Sequence, residues 1–122
     1  MENPHKHRPG LMHVWQATKI AMQGLRAAFR HEDAFRQEVG VAAIAIPVAL
    51  LMPVGITGKA LLVGSIFLVL IIELVNSALE AAVDHTSLER HPLAKRAKDV
   101  ASAAVFLSIV NAAVIWALIL LF

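Results

Sequence analysis

Residues 60–84 read ALLVGSIFLVLIIELVNSALEAAVD. The segment carries no charge as far as Ile72, then admits Glu73, Asn76, Ser77, Glu80 and Asp84 among apolar residues. A helix needs about 20 predominantly apolar residues to cross a hydrocarbon core of roughly 30 Å, so a membrane span is expected over about 60–83. An ionisable residue inside such a span costs roughly 2.5–3.5 kcal/mol on insertion scales. The ten Leu, Ile, Val and Phe residues from Leu61 to Ile72 return about 0.3–0.6 kcal/mol each. The helix therefore inserts with Glu73 in it, and insertion alone gives no reason for the acids.

Two apolar stretches flank this one. Residues 100–122 hold no charge and form one further expected span. The other runs over about 34–54, with Asp33 as its N-cap and with Pro47, which is tolerable inside lipid. The chain of 122 residues is 58% apolar and 16% charged, against about 45–50% and about a quarter in soluble domains. A soluble domain of this length would need more polar residues to cover its surface, so the excess apolar side chains are expected to face lipid. With no cysteine, disulfides, thiolate metal sites and thiol nucleophiles are excluded. A net charge of +2 gives little support to a nucleic-acid partner, and none is expected.

Charge placement sets the orientation. Residues 1–40 hold six of the eleven Lys and Arg, residues 84–99 hold four, and Lys59 is the one between. With three spans, the N-terminal region and the 84–99 loop share a side by parity, and the basic excess puts that side in the cytoplasm. No signal peptide is expected, because MENPHKHRPG lacks an apolar h-region. That opening, residues 1–10, is expected to be a disordered tail, in which His5 and His7 are solvated. From Leu11 to Phe29 the larger side chains Leu11, Trp15, Met22, Leu25 and Phe29 recur at helical steps, with Lys19, Arg26 and Arg30 off that stripe. A surface helix over about 11–31, lying flat among the headgroups, follows. The expected fold is an all-α membrane protein. An N-terminal amphipathic surface helix and three transmembrane helices form a single domain over 11–122.

At 100° per residue, Glu73, Ser77, Glu80 and Asp84 fall within about 60° of one another, with Asn76 at the edge of the strip. Hydrogen-bonding glue between helices accounts for such residues in many bundles, but three aligned carboxyls would repel if all were ionised. A shared cation or proton makes better sense of them. Glu73 lies about 10 Å deeper than Glu80, at the level of a lipid headgroup, whereas Glu80 can meet a water-soluble ligand. Glu32, at the joint before the first span, and Lys98 and Asp99, in the first turns of a helix opened by Pro92, fall near the depth of Glu80. A hard cation such as Mg2+ suits Glu32 and Glu80, and a lysine opposite them can hold phosphate as a point charge. Gly55-Ile-Thr-Gly58-Lys59-Ala60 has the look of a phosphate loop, but its spacing is wrong and no Ser or Thr follows the lysine, so it reads as a turn. No GxGxxG, HExxH or nucleophile elbow occurs, which excludes a soluble-type nucleotide fold.

From about His13 onward the sequence closely resembles the prokaryotic diacylglycerol kinase family, small integral-membrane kinases unrelated to soluble ones. The resemblance rests on the ordered set Gly24-Leu-Arg-Ala-Ala-Phe29, Glu32, Ala34-Phe-Arg-Gln-Glu38, Glu73 to Asp84, Ala94-Lys-Arg-Ala-Lys-Asp99 and Ala101-Ser-Ala-Ala104. It implies ATP-dependent phosphorylation of diacylglycerol to phosphatidic acid at the cytoplasmic face of the bacterial inner membrane, in a homotrimer whose sites combine neighbouring protomers. Within that resemblance Glu73 is the catalytic base and Glu32 and Glu80 hold Mg2+. Glu32, Asn76, Glu80, Lys98 and Asp99, with Glu89, Arg90 and His91, meet ATP. Arg26, Phe29, Ala34, Phe35, Arg36, Gln37, Glu38 and Ser102 meet the lipid, with Ser77 and Asp84 in support. The family's arginine and tyrosine ligands for ATP are replaced here by His13 and Ile20, which are left out of the site.

One surface helix and three spans are too few to enclose ATP, a cation and a lipid, and Ala101, Ala104, Ser108 and Ala112 offer a small-residue face for close packing, within a protomer or between protomers. Two rivals share parts of the pattern. An undecaprenol kinase has the same acids. A small proton-coupled transporter uses an intramembrane glutamate but has no need of Lys98 and Asp99 beside it.

Overall fold

The computed structural model describes residues 10–86 and 92–122. They form four helices in the order α1 (Gly10–His31), α2 (Asp33–Leu51), α3 (Ile56–Thr86) and α4 (Pro92–Leu121), and no strand occurs among them. Helices α2, α3 and α4 are each long and apolar enough to cross a membrane. Apart from Gly10, which opens α1, the expected disordered tail lies outside the described residues. So do Glu89, Arg90 and His91.

The joint between α1 and α2 is one residue long. Glu32 leaves the helical region at φ −114° and ψ 109° and is the N-cap of α2, without a side-chain capping bond. This corrects the expectation for Asp33, which is the first residue of the helix proper, where a carboxylate favours the positive end of the helix dipole. Arg36 turns back from α2 and donates to the carbonyls of Phe29 (2.8 Å) and Arg30 (2.9 Å), while pairing with Asp33. Those carbonyls belong to the last turn of α1, whose acceptors have no partner within the helix.

Helix α2 runs through Pro47 and ends at Leu51, short of the expected 54. Met52 is extended (ψ 146°) because it precedes Pro53, whose ring disfavours a helical predecessor. Gly58, in the first turn of α3, faces the resulting turn: an added Cβ would lie 3.3 Å from Val54 Cβ and 3.8 Å from Ile119 Cγ2. Helices α3 and α4, at 31 and 30 residues, exceed the expected spans and extend beyond an apolar core of about 30 Å. Their extra turns carry Asp84, His85, Lys95, Arg96, Lys98 and Asp99.

Helix α3 is the centre of the fold, packed against both α2 and α4, while α1 meets α2. The residues buried at the seams are Phe35, Ala42 and Ala49 on α2, Leu62, Ser65, Val69 and Glu73 on α3, and Ser108 and Ala112 on α4. Spacings of three, four and seven define helical seams. Of the small-residue face expected on α4, Ser108 and Ala112 are buried, Ala101 is half-buried and Ala104 is exposed. Outward-facing Ile44, Phe67, Ile71, Phe106, Leu107 and Leu118 leave apolar surface that a lipid environment or other subunits can cover.

A part-buried polar tie crosses the seam between α3 and α4. Trp116 Nε1 donates to Ser65 Oγ at 3.1 Å, and the serine hydroxyl itself donates to the Leu62 carbonyl at 2.7 Å. Ser65→Ala is expected to cost about 1 kcal/mol, the scale of an interhelical hydrogen bond in a membrane protein. Detergent-denaturation curves should show it as a lower unfolding midpoint, and an unchanged midpoint would mean that the tie contributes no stability.

Candidate functional site

Glu73 is 5% exposed, on the face of α3 that packs against its neighbours. Its carboxyl group lies near that of Glu38 on α2. Glu80 and the joint residue Glu32 both lie close enough for their charges to act on Glu73. Three helical turns and one interhelical joint thus direct four acids into one region.

Above Glu73 the polar strip continues as the 3.6-residue repeat requires. Asn76 Nδ2 approaches Glu80 Oε1 at 3.5 Å, the outer limit of a hydrogen bond. Three buried oxygens and hydroxyls, Glu38 Oε2, Asn76 Oδ1 and Ser77 Oγ, have no hydrogen-bond partner among the described residues. Buried polar groups are satisfied in the great majority of cases, so three together mark a place suited to a polar ligand. The strip ends at Asp84, which forms an ion pair with Lys98 of α4. Lys98 also lies in the field of Glu80. Asp99 is engaged elsewhere, accepting from Lys95 Nζ at 2.7 Å on the exposed side of α4.

A groove of about 420 Å³ opens between α1 and α2, lined by Leu25, Arg26, Phe29, Arg30, Phe35 and Val39. Two guanidinium groups at the edge of apolar walls suit an amphiphile with a polar head. Of the remaining candidates for lipid contact, Ala34, Gln37 and Ser102 are exposed, and Arg36 is occupied in closing the α1–α2 joint.

The family comparison agrees with an enzyme. The model of the family described as prokaryotic diacylglycerol kinase matches residues 19–120. The chain belongs to the prokaryotic diacylglycerol kinase family. It is accordingly an enzyme, a kinase with three helices able to span a membrane. The diacylglycerol kinase of Pseudomonas aeruginosa is 49% identical to it over 119 residues, covering 98% of this chain and 97% of the relative. That of Haemophilus influenzae is 42% identical over 113 residues (93% and 96%), and that of Escherichia coli K12 is 40% identical over 111 residues (91% of each).

Two features of this kinase's site escaped the sequence reading. The resemblance puts Glu38 with the lipid, whereas its carboxyl lies near Glu73. The available signal was its position between Phe35 and Ala42, at steps of three and four along the buried face of α2. Arg30 was treated as part of the basic side of α1, and it lines the groove beside Arg26. Among the described residues no group of three or more His, Asp or Glu side chains forms a metal cage.

Proposed function

We propose that this kinase transfers the γ-phosphate of ATP to the hydroxyl of diacylglycerol at the cytoplasmic face of the bacterial inner membrane, forming phosphatidic acid. The observation that carries this reading is the graded strip itself. A buried carboxyl at Glu73 is followed along the same face of α3 by Asn76, Ser77 and Glu80 and then by the Asp84–Lys98 pair at the end of the helices. Such a strip links a level that a lipid headgroup reaches to one that a nucleotide reaches.

The lipid hydroxyl oxygen attacks the γ-phosphorus as the bond to the β–γ bridging oxygen breaks. Glu73 accepts the hydroxyl proton, and ADP leaves. Phosphoryl transfer asks the protein mainly for positioning and charge neutralisation. Lys98 is assigned to the phosphates, with Asn76 beside them. The groove carrying Arg26, Phe29 and Phe35 is assigned to the lipid, whose acyl chains suit its apolar walls.

The donor chemistry fits a hard cation. Glu32 and Glu80 offer carboxylate oxygens and Asn76 Oδ1 an amide oxygen without a partner. Two carboxylates rather than a cage of three suit Mg2+, which keeps water and substrate phosphates among its ligands. When bound, the ion supplies neutralisation of phosphate charge.

Two further features support the assembled form. Asn111 is exposed on α4, within the run of 100–122 that holds no charge. Lipid would leave its amide without hydrogen-bond partners, whereas a neighbouring subunit of a homotrimer can supply them. On α1, Leu11, Trp15 and Met22 are exposed, and Lys19 stands 5.9 Å from the Trp15 ring centroid, as suits an amphipathic helix in the headgroup layer with the N-terminus in the cytoplasm.

Labelled ATP with Mg2+, supplied to sealed inside-out vesicles containing the protein and a panel of lipid alcohols, is expected to label diacylglycerol. Right-side-out vesicles should show no labelling. Labelling confined to undecaprenol would overturn the substrate, and labelling from the outer side would overturn the orientation.

A further inference from the structure

We propose that Asp84 is the positioning residue of Lys98, holding its ammonium over the acidic strip so that it meets the phosphates of ATP in a prepared place. The inference rests on the reading of Lys98 as a phosphate ligand. The pair joins two different helices: Asp84 stands in the last turn of α3 and Lys98 in the second turn of α4. No helical periodicity brings them together, and the contact exists only because the two helix ends are packed side by side.

A lysine ammonium is a point charge on a flexible stem with three donors. Left alone at a helix end, it would sample solvent, and each binding event would have to order four rotatable bonds. Asp84 takes part of that ordering in advance. The lysine and aspartate side chains are 40% and 62% exposed, so the pair sits at the water edge and the ammonium keeps donors for a second partner. Glu80 also lies close enough for its charge to act on Lys98. Protein kinases rely on the same physical device, an ion pair between a lysine and a helix-borne acid that must be in place before the lysine serves the phosphates.

An exposed pair of this kind carries a modest effect. Asp84→Asn is therefore expected to raise the KM for ATP about three- to fivefold, with kcat changed less, and Asp84→Glu to restore most of the loss. The decisive measurement is a double-mutant cycle read as the Kd of a non-hydrolysable ATP analogue with Mg2+. Lys98→Ala should weaken binding more than Asp84→Asn does, and Asp84→Asn should then add nothing in the Lys98→Ala background. If Lys98→Ala weakens binding but Asp84→Asn leaves it unchanged, strengthens it, or costs the same in both backgrounds, Asp84 does not act through Lys98 and the proposal is overturned. If Lys98→Ala itself binds like the parent, the phosphate role of Lys98 falls first, and this inference falls with it.

Discussion

Glu73→Gln is expected to give a folded protein that binds ATP and Mg2+ normally and turns over about 10²–10⁴-fold more slowly, the range that general-base catalysis contributes. The glutamine preserves volume and polar character beside Glu38, so the seam between α2 and α3 keeps its packing. What it removes is the capacity to accept a proton from the lipid hydroxyl. Burial of Glu73 keeps bulk water from serving as a substitute base, which is why the loss falls on kcat rather than on nucleotide affinity. Turnover and analogue binding measured on the same preparation separate the two quantities. Near-parental turnover would remove Glu73 from the base role.

The second large effect concerns the cation. Replacing Glu80 by Gln is expected to raise the Mg2+ concentration for half-maximal activity at least about tenfold, and Glu32→Gln should act in the same direction. Either change removes one of the two carboxylates assigned to the ion. Excess Mg2+ should restore part of the rate in each variant, because the remaining carboxylate and the substrate phosphates still offer oxygen ligands. An unchanged Mg2+ dependence in both variants would show that these residues do not hold the ion.

The helices were legible for simple reasons. Predominantly apolar runs about as long as a bilayer is thick have few alternatives, and the structure places helices over all three. Their ends were less legible. Asp33 looked like a cap because of its type, but the chain breaks at Glu32, where the Arg36 side chain secures the preceding carbonyls from a full turn away. The strip Glu73, Ser77, Glu80 and Asp84 was legible because all four positions ride on one helix, whose 100° step fixes their relative directions. Asp99 was expected, like Lys98, near the depth of Glu80; its side chain bonds Lys95 one turn earlier, since adjacent positions on a helix point in different directions.

The order of residues alone determined an all-helical chain with three bilayer-length apolar helices and one acidic face. Chain hydropathy and the pitch of the helix are local properties, so they need no knowledge of neighbours. Tertiary structure decided which residues those faces meet. It set Glu38 against Glu73, closed Asp84 onto Lys98, tied Trp116 to Ser65 and opened the groove between Arg26, Arg30 and Phe35. Each of these contacts depends on the rotation and axial register of one helix against another. Those two variables are selected by side-chain packing along the whole seam rather than by any short stretch of sequence.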